Sequence, residues 1–259
     1  MAGSTSNEKK LYGETWNEVY GGYFADPEVA APLIDSILLA ADECAPAVIA
    51  DLGGGTGFVL SQVAGRMGGP RPVRLVCVDV AREQLDDCPE PLGVLQCSVE
   101  DLRREMLVER GEGLLLCMRS VMHYFGRDAL EADVAGMRSA LEPGEYLVHQ
   151  TICFDEEVDQ ESANLVYELM DTGKWYPTDA QLATVMEAGG FKVVLKRKAP
   201  SLPITDSELM LRYDVDAASM ERIGRELAAQ CGDRRRVYIP RDDGFTVRLD
   251  YIVMTCLAQ

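Results

Sequence analysis

An α/β fold with a mostly parallel sheet and helices on both of its faces is predicted by three features of the chain. Short apolar segments alternate with helical patterns between residues 46 and 152. Those segments are nearly continuous in hydrophobicity, as strands buried on both faces must be. The first of them, Val48-Ile49-Ala50-Asp51, runs directly into Leu52-Gly53-Gly54-Gly55-Thr56-Gly57, a glycine-rich turn that opens a helical pattern.

Taken in order, the strand candidates are 47–51, 73–79, 92–97, 113–118 and 145–152, with helices near 58–67, 82–87 and 128–141 between them. Ahead of the first strand, Asp26-Pro27 reads as an N-cap with proline at the first helical position, opening a helix to about residue 44. Further upstream, Tyr12, Trp16, Tyr20 and Tyr23 or Phe24 recur at three- and four-residue spacing, which puts aromatics on one face of a helix or helical turn. After residue 152, Thr178 to Gln181 reads as a capping box for a helix ending at Gly189-Gly190, and 191–195 resumes as a strand. A second capping box at 205–208 and an N-cap at Asp216 with a stop at Gly232 predict two helices inserted before a last strand at 246–256. No repeat or linker divides the chain, so one domain over 1–259 is expected: an N-terminal helical lid to 45, a core over 46–152 and substrate-side elements over 153–259.

The 259 residues are 47% hydrophobic, enough for a large core, and carry a formal charge of −18, which repels nucleic acid phosphates and anionic lipid. A free small molecule is the expected partner, with no nucleic acid and no membrane, and the oligomeric state is left open. The basic runs Lys196-Arg197-Lys198 and Arg234-Arg235-Arg236 lie within acidic flanks and read as solvated faces. Eight cysteines are scattered with no C-x-x-C pair and no cysteine–histidine cluster, so no metal site is expected. Cys77, Cys97, Cys117, Cys153 and Cys256 fall in strand candidates, as buried thiols of a reducing compartment do. A polar N-terminus and the lack of any apolar run of bilayer length predict a soluble, cytoplasmic protein.

The glycine turn carries the chemistry. A dinucleotide fingerprint begun at Gly53 requires glycine at 58, where Phe58 stands, and starting one residue later fails at Thr56. What remains is an acidic strand end followed by G-x-G-x-G, with a second strand, Val76-Cys77-Val78-Asp79, ending in another carboxylate. A carboxylate there accepts hydrogen bonds from ribose hydroxyls, or serves only to cap the helix after it. Through about residue 152 the chain resembles the class I, Rossmann-like S-adenosylmethionine-dependent methyltransferases, small-molecule type, whose sheet has seven strands.

The resemblance implies S-adenosylmethionine as cofactor, S-adenosylhomocysteine as product, and a cofactor site of Tyr12, Asp51, Gly53, Gly55, Gly57, Asp79, Val80, Ser98, Val99, Met118 and Arg119. Within it, Ser98 and Val99 occupy the adenine-binding segment, with Ser98 where aspartate is common, and Met118-Arg119 lead into the stretch beside the methionyl group. Three departures stand out: Glu112-Gly113 replaces the usual aspartate before strand four, Glu145 replaces the second glycine of the turn into strand five, and Ser98 replaces an acid. Trp16, Tyr20, Tyr23, Trp175 and Tyr176 are candidate acceptor walls, and equally candidates for ordinary packing. His123, just past strand four, is the candidate catalytic base, with a structural role as the alternative; His149 reads as a core residue. Neither a [DN]-P-P-[YF] tetrapeptide nor a Pro-Cys dipeptide is present, which argues against nucleobase and glutamine acceptors.

The expected reaction is methyl transfer to oxygen, nitrogen or carbon of a small molecule, in a natural-product-like biosynthetic role. Two alternatives stay open: cyclisation or rearrangement using the same sulfonium without methyl transfer, releasing methylthioadenosine in the cyclisation case, and a non-catalytic cofactor-binding subunit.

Overall fold

The computed structural model of the protein describes residues 19–68, 72–231 and 236–259. Eight helices, α1 Pro27–Cys44, α2 Phe58–Arg66, α3 Arg82–Leu85, α4 Gly126–Ser139, α5 Glu157–Leu169, α6 Asp179–Ala188, α7 Asp206–Tyr213 and α8 Ala217–Cys231, surround one sheet among the described residues. Its strands are β1 Val48–Leu52, β2 Arg74–Asp79, β3 Gly93–Gln96, β4 Leu114–Arg119, β5 Tyr146–Ile152, β6 Phe191–Thr205, β7 Tyr238–Arg241 and β8 Gly244–Ala258. They lie in the order β3-β2-β1-β4-β5-β8-β6, with β7 added along β8. Strands β1 to β5 pair in parallel and β8 runs antiparallel between β5 and β6. The chain therefore reverses its direction of strand addition at β1, opening a crevice beyond the carboxyl ends of β1 and β4.

Alternation of side chains along the buried strands sorts the core into two layers. Ile49, Leu115, Cys117 and Val148 pack under α1 and α2, which contribute Leu33, Ile34, Ile37, Leu60 and Val63. Ala50, Leu52, Leu116, Met118 and Leu147 face the opposite side, under Leu130, Val134 and Met137 of α4 and Leu182 and Met186 of α6. The caps read from sequence hold: Asp26 accepts from Glu28 N with Pro27 next, and both capping boxes, at Thr178 with Gln181 and at Thr205 with Glu208, are closed.

A third apolar cluster lies beyond the sheet's carboxyl edge, where the far halves of β6 and β8 meet β7, α5, α7 and α8 around Phe154, Tyr167, Leu209, Ile223 and Phe245. Strand β6 runs on to Thr205, past the expected end at 195, despite Pro200 and Pro203. It is the sheet's outer strand, and its pairing with β8 shifts register between Ala199 and Leu202, so the missing proline donor at 200 falls in an irregularity. The sheet also gains an eighth strand over the seven expected, because β7 and β8 form a hairpin turning at Asp242-Asp243. Helix α5 was not expected either, although Val158, Ser162, Leu165 and Leu169 have helical spacing.

Two of the basic residues of β6 are paired: Lys196 and Lys198 meet Asp179 and Asp155 at 2.6 and 2.7 Å. Arg236 reaches Asp159 and Asp250, while Arg234, Arg235 and Gly232 lie outside the described residues. All eight cysteines are free thiols, and no helix among the described residues is long and apolar enough to cross a membrane.

Glu145, the departure at the turn into β5, is structural. It is buried and takes the guanidinium of Arg104 two-pronged, at 2.6 and 2.9 Å, while its oxygens also accept from the backbone of Leu114 and Glu142 at 2.7 Å. Arg104 in turn donates to the carbonyls of Ala140 and Glu112, so one side-chain pair ties the loops before β4 and β5. A glycine there leaves those backbone groups unpaired, and Glu145→Gly or Glu145→Ala is expected to lower unfolding free energy by about 2–4 kcal/mol. Urea denaturation checks this, with Glu145→Gln losing less.

Candidate active site

Strand β1 ends in the turn 53–57, and neighbouring backbone shapes it: Gly53 N and Gly54 N both donate to the carbonyl of Val78, at 2.8 and 3.1 Å. Gly53 and Gly55 take positive φ of 68° and 56°, and a Cβ at either would lie 2.5 Å from Val121 Cγ2 or 2.7 Å from Gln84 Oε1. The positive φ disfavours any side chain at both positions, and at Gly53 a Cβ would also press into the branched Val121 side chain. Asp79, at the end of β2, closes the arrangement: one oxygen accepts from Gly55 N at 3.0 Å and the other from Ala81 N at 2.9 Å.

The turn borders a cavity of about 420 Å³ across the carboxyl ends of β1, β2 and β4. Of the residues expected to hold the cofactor, Asp51, Gly53, Gly55, Asp79, Val80, Ser98, Val99 and Arg119 line it together. Gly57 closes the turn as the N-cap of α2, at φ 79°, without lining the cavity. Met118 does not line it, because strand alternation turns its fully buried side chain into the α4 layer. The Ser98 hydroxyl donates to Asp101 at 2.9 Å. Ser120, Val121 and Tyr124, in the stretch after β4, and Phe24, of the aromatic series, also line the cavity, as do Phe58 and Gln84, which carried no sequence signal for it because their position depends on how distant elements dock.

Asp51 is the most unusual group in the site. It is 1% exposed, and neither carboxylate oxygen has a hydrogen-bond partner among the described residues. In the sheet register its row partners are Cys77 on β2 and Cys117 on β4, so two thiols flank the acid. Burial raises its pKa to about 7, the neighbouring Asp79 adds to the rise, and the Cys117 thiol and the Arg119 cation offset part of it. Arg119 is itself buried; it donates to the carbonyls of Phe24 and Tyr23 at 2.9 and 3.3 Å and lies 5.5 to 5.8 Å from the rings of Tyr23, Phe24 and Phe58. It thereby fastens the segment before α1 to the cavity wall.

Tyr12 and Trp16 lie outside the described residues. The described part of that aromatic segment, Val19–Gly22, is a 3₁₀ turn broken by left-handed Tyr20 and Gly21. Tyr20 and Tyr23 are buried, Tyr20 accepting from Arg212 and Tyr23 donating to the Pro200 carbonyl and packing on Tyr251. Trp175 lines neither this cavity nor the smaller one beside it; it packs on the α4 layer with the Arg127 guanidinium 5.9 Å from its ring.

His123 and Tyr176 line that smaller space of about 30 Å³, which shares Phe24, Ser120 and Tyr124 with the large one. His123 is buried between the rings of Tyr124 and Tyr176, with Nδ1 unpaired. Burial holds its pKa well below the usual range, and the Lys174 and Arg212 cations push it further down. His149 is a core residue: fully buried, with its pKa held to about 3 by burial.

No protein-family model matches the chain, and no curated protein matches its sequence. Solved structures do match its fold. The YcgJ protein from Bacillus subtilis superposes at TM-score 0.67 with 15% identity, covering 88% of this chain and 99% of its own. The 1,6-didemethyltoxoflavin-N1-methyltransferase of Burkholderia thailandensis, crystallised with 1,6-didemethyltoxoflavin and S-adenosylhomocysteine, gives TM-score 0.57 and 16% identity over 98% of this chain and 86% of that one. The chain has the class I methyltransferase fold. A cyclopropane synthase from Mycobacterium tuberculosis shares this methyltransferase fold at TM-score 0.54 and 15% identity, over 97% and 93% of the two chains.

In this methyltransferase fold the unpaired Asp51 has a consequence for stability. Its folded pKa lies above that of an unfolded aspartate near 3.9, so the folded state binds the extra proton and loses stability as pH rises from about 4 to about 7. Asp51→Asn is therefore expected to stabilise the free protein, with a gain growing from near zero at pH 4 to on the order of 2–4 kcal/mol above pH 7. Thermal melts of both proteins across that range check it.

Proposed function

We propose that the protein transfers a methyl group from S-adenosylmethionine to a small-molecule acceptor. The observation that carries this reading is the Asp79-braced glycine turn, with Gly53 and Gly55 at positive φ, bordering a cavity with an unpaired buried carboxylate, Asp51. A cradle that bare backbone must approach, with acids at two strand ends, suits a ligand carrying ribose hydroxyls and an ammonium group.

The residues fit that cofactor. Asp79 still has free lone pairs after its two backbone contacts, and these would accept from the ribose hydroxyls. Val80, Ser98 and Val99 would flank the adenine, and Asp51 with the turn backbone would receive the methionyl ammonium, which would return Asp51 to its ionised form. When bound, the cofactor supplies an electrophilic methyl on a sulfonium. The protein's own contribution is then to bind, orient and exclude water, because in-line positioning is most of what methyl transfer asks. His123 is kept neutral by its surroundings and is a weak base; in this reading it shapes and hydrogen-bonds the acceptor side of the site.

The acceptor is taken to be a free metabolite. Support comes from the charge of −18 and from the pairing of Lys196, Lys198 and Arg236 with carboxylates, which leaves little attraction for a polyanion.

Incubation with S-adenosylmethionine and pooled small acceptors, read by mass spectrometry, tests the reaction. S-adenosylhomocysteine forming only when an acceptor is present is the expected outcome; methylthioadenosine forming without any acceptor contradicts it. Asp79→Ala is expected to weaken S-adenosylhomocysteine binding by about 1–3 kcal/mol, the scale of lost hydrogen bonds to a charged group, as measured by titration calorimetry.

A further inference from the structure

We propose that Arg119 anchors the α-carboxylate at the amino acid end of the cofactor, so that the site selects the intact amino acid form over forms without a carboxylate. The assignment deepens the methyl-transfer reading and rests on it.

Arg119 is the last residue of β4 and lines the large cavity, yet it is only 9% exposed. A guanidinium stays charged inside a protein, and burying one without an anion is costly. Burial holds the Arg119 pKa below the ordinary arginine value. No carboxylate among the described residues forms an ion pair with it. Its two hydrogen bonds go to neutral groups, the carbonyls of Phe24 and Tyr23, and the rings of Tyr23, Phe24 and Phe58 surround it at 5.5 to 5.8 Å. Nε is buried and has no partner. Two of the five guanidinium N–H groups are thus engaged, and the positive charge has met dipoles and ring faces but no anion.

Asp51 supplies the opposite sign in the same cavity, buried and with both oxygens unpaired. The β1–β4 register sets Asp51 beside Cys117, and Arg119 stands two residues farther along β4. Alternation along the strands therefore sends both side chains to the face covered by α1 and α2, where Phe58 at the start of α2 meets Arg119. Their backbones are offset by about 6.6 Å along the strands and about 4.8 Å across them. Each group favours the charged form of the other, yet the two form no ion pair among the described residues. A direct pair would have satisfied both. Held apart, they frame a ligand whose ammonium and carboxylate share one carbon, the ammonium toward Asp51 and the carboxylate toward Arg119.

Arginine is the residue suited to that place, because its planar fork meets a carboxylate through two parallel hydrogen bonds. A relative of the cofactor that lacks the carboxylate would leave the buried cation unpaired and would bind more weakly.

The test titrates the full-length protein by calorimetry with S-adenosylhomocysteine and with its decarboxylated analogue, which keeps the adenosine, the thioether and the amine. The wild type is expected to bind S-adenosylhomocysteine at least about tenfold more tightly, the scale of hydrogen bonds between charged groups. In Arg119→Met and Arg119→Gln that ratio should fall to near one; the ratio reads the carboxylate alone, whereas a merely structural loss weakens both ligands together. Equal affinities in the wild type, or tighter binding of the analogue, overturn the proposal. So does a ratio that persists in either variant, which would assign the carboxylate to the backbone amides at the start of α2. Where neither variant folds, a crystal structure of the wild-type complex decides: carboxylate oxygens within about 3.2 Å of the Arg119 guanidinium support the assignment, and carboxylate oxygens bonded elsewhere overturn it. Failure of both ligands to bind would instead sink the methyl-transfer reading.

Discussion

The carboxylate of Asp79 is bonded at once to the turn after β1 and to the loop after β2, through Gly55 N and Ala81 N. Beyond that brace the turn is held by the Val78 carbonyl, which accepts from Gly53 N and Gly54 N, and by an internal bond from Gly57 N to Gly54 O, and Thr56 alone among its residues carries a side chain. One acid therefore helps to keep a five-residue glycine-rich segment in shape while itself lining the cavity. A turn this free of side chains needs an external brace, because glycine loses more conformational entropy on ordering than any other residue.

The remainder of the site follows from where the sheet places its ends. Asp51 is fixed between Cys77 and Cys117 by the parallel register, and its burial there raises its pKa to about 7. Arg119, at the matching end of β4, brings the segment before α1 over the cavity by bonding two of its carbonyls. Long strands β6 and β8 then carry the chain beyond the sheet and build the tyrosine-rich lobe that encloses the smaller space. The larger cavity thus depends on strand ends, and the smaller space on a second core.

Much of the first side was legible in the sequence. Local signals dictate it: Asp26-Pro27 starts α1, a capping box starts α6, and Gly53 to Gly57 with Asp79 mark the turn and its brace. Glu145 also announced itself as a departure, although only the structure shows why it is needed: Arg104, 41 residues away, fills its carboxylate. The second side was not legible. Lys174 and Arg212 are separated by 38 positions and belong to no local pattern, and their convergence depends on the docking of α5, α7 and the β7–β8 hairpin. Prolines at 200 and 203 concealed the length of β6, because an edge strand with a register shift tolerates what a central strand does not. Met118 shows the opposite limit: its place at the end of β4 was clear, but the direction of its side chain was set by a one-residue alternation.

The central claim is that the turn receives an adenosyl amino acid and not a pyrophosphate. Calorimetric titration of the protein with S-adenosylhomocysteine and, separately, with a nicotinamide dinucleotide addresses it most directly. The account predicts saturable one-to-one binding of the first and none of the second. Binding of the dinucleotide with no heat from S-adenosylhomocysteine would contradict it.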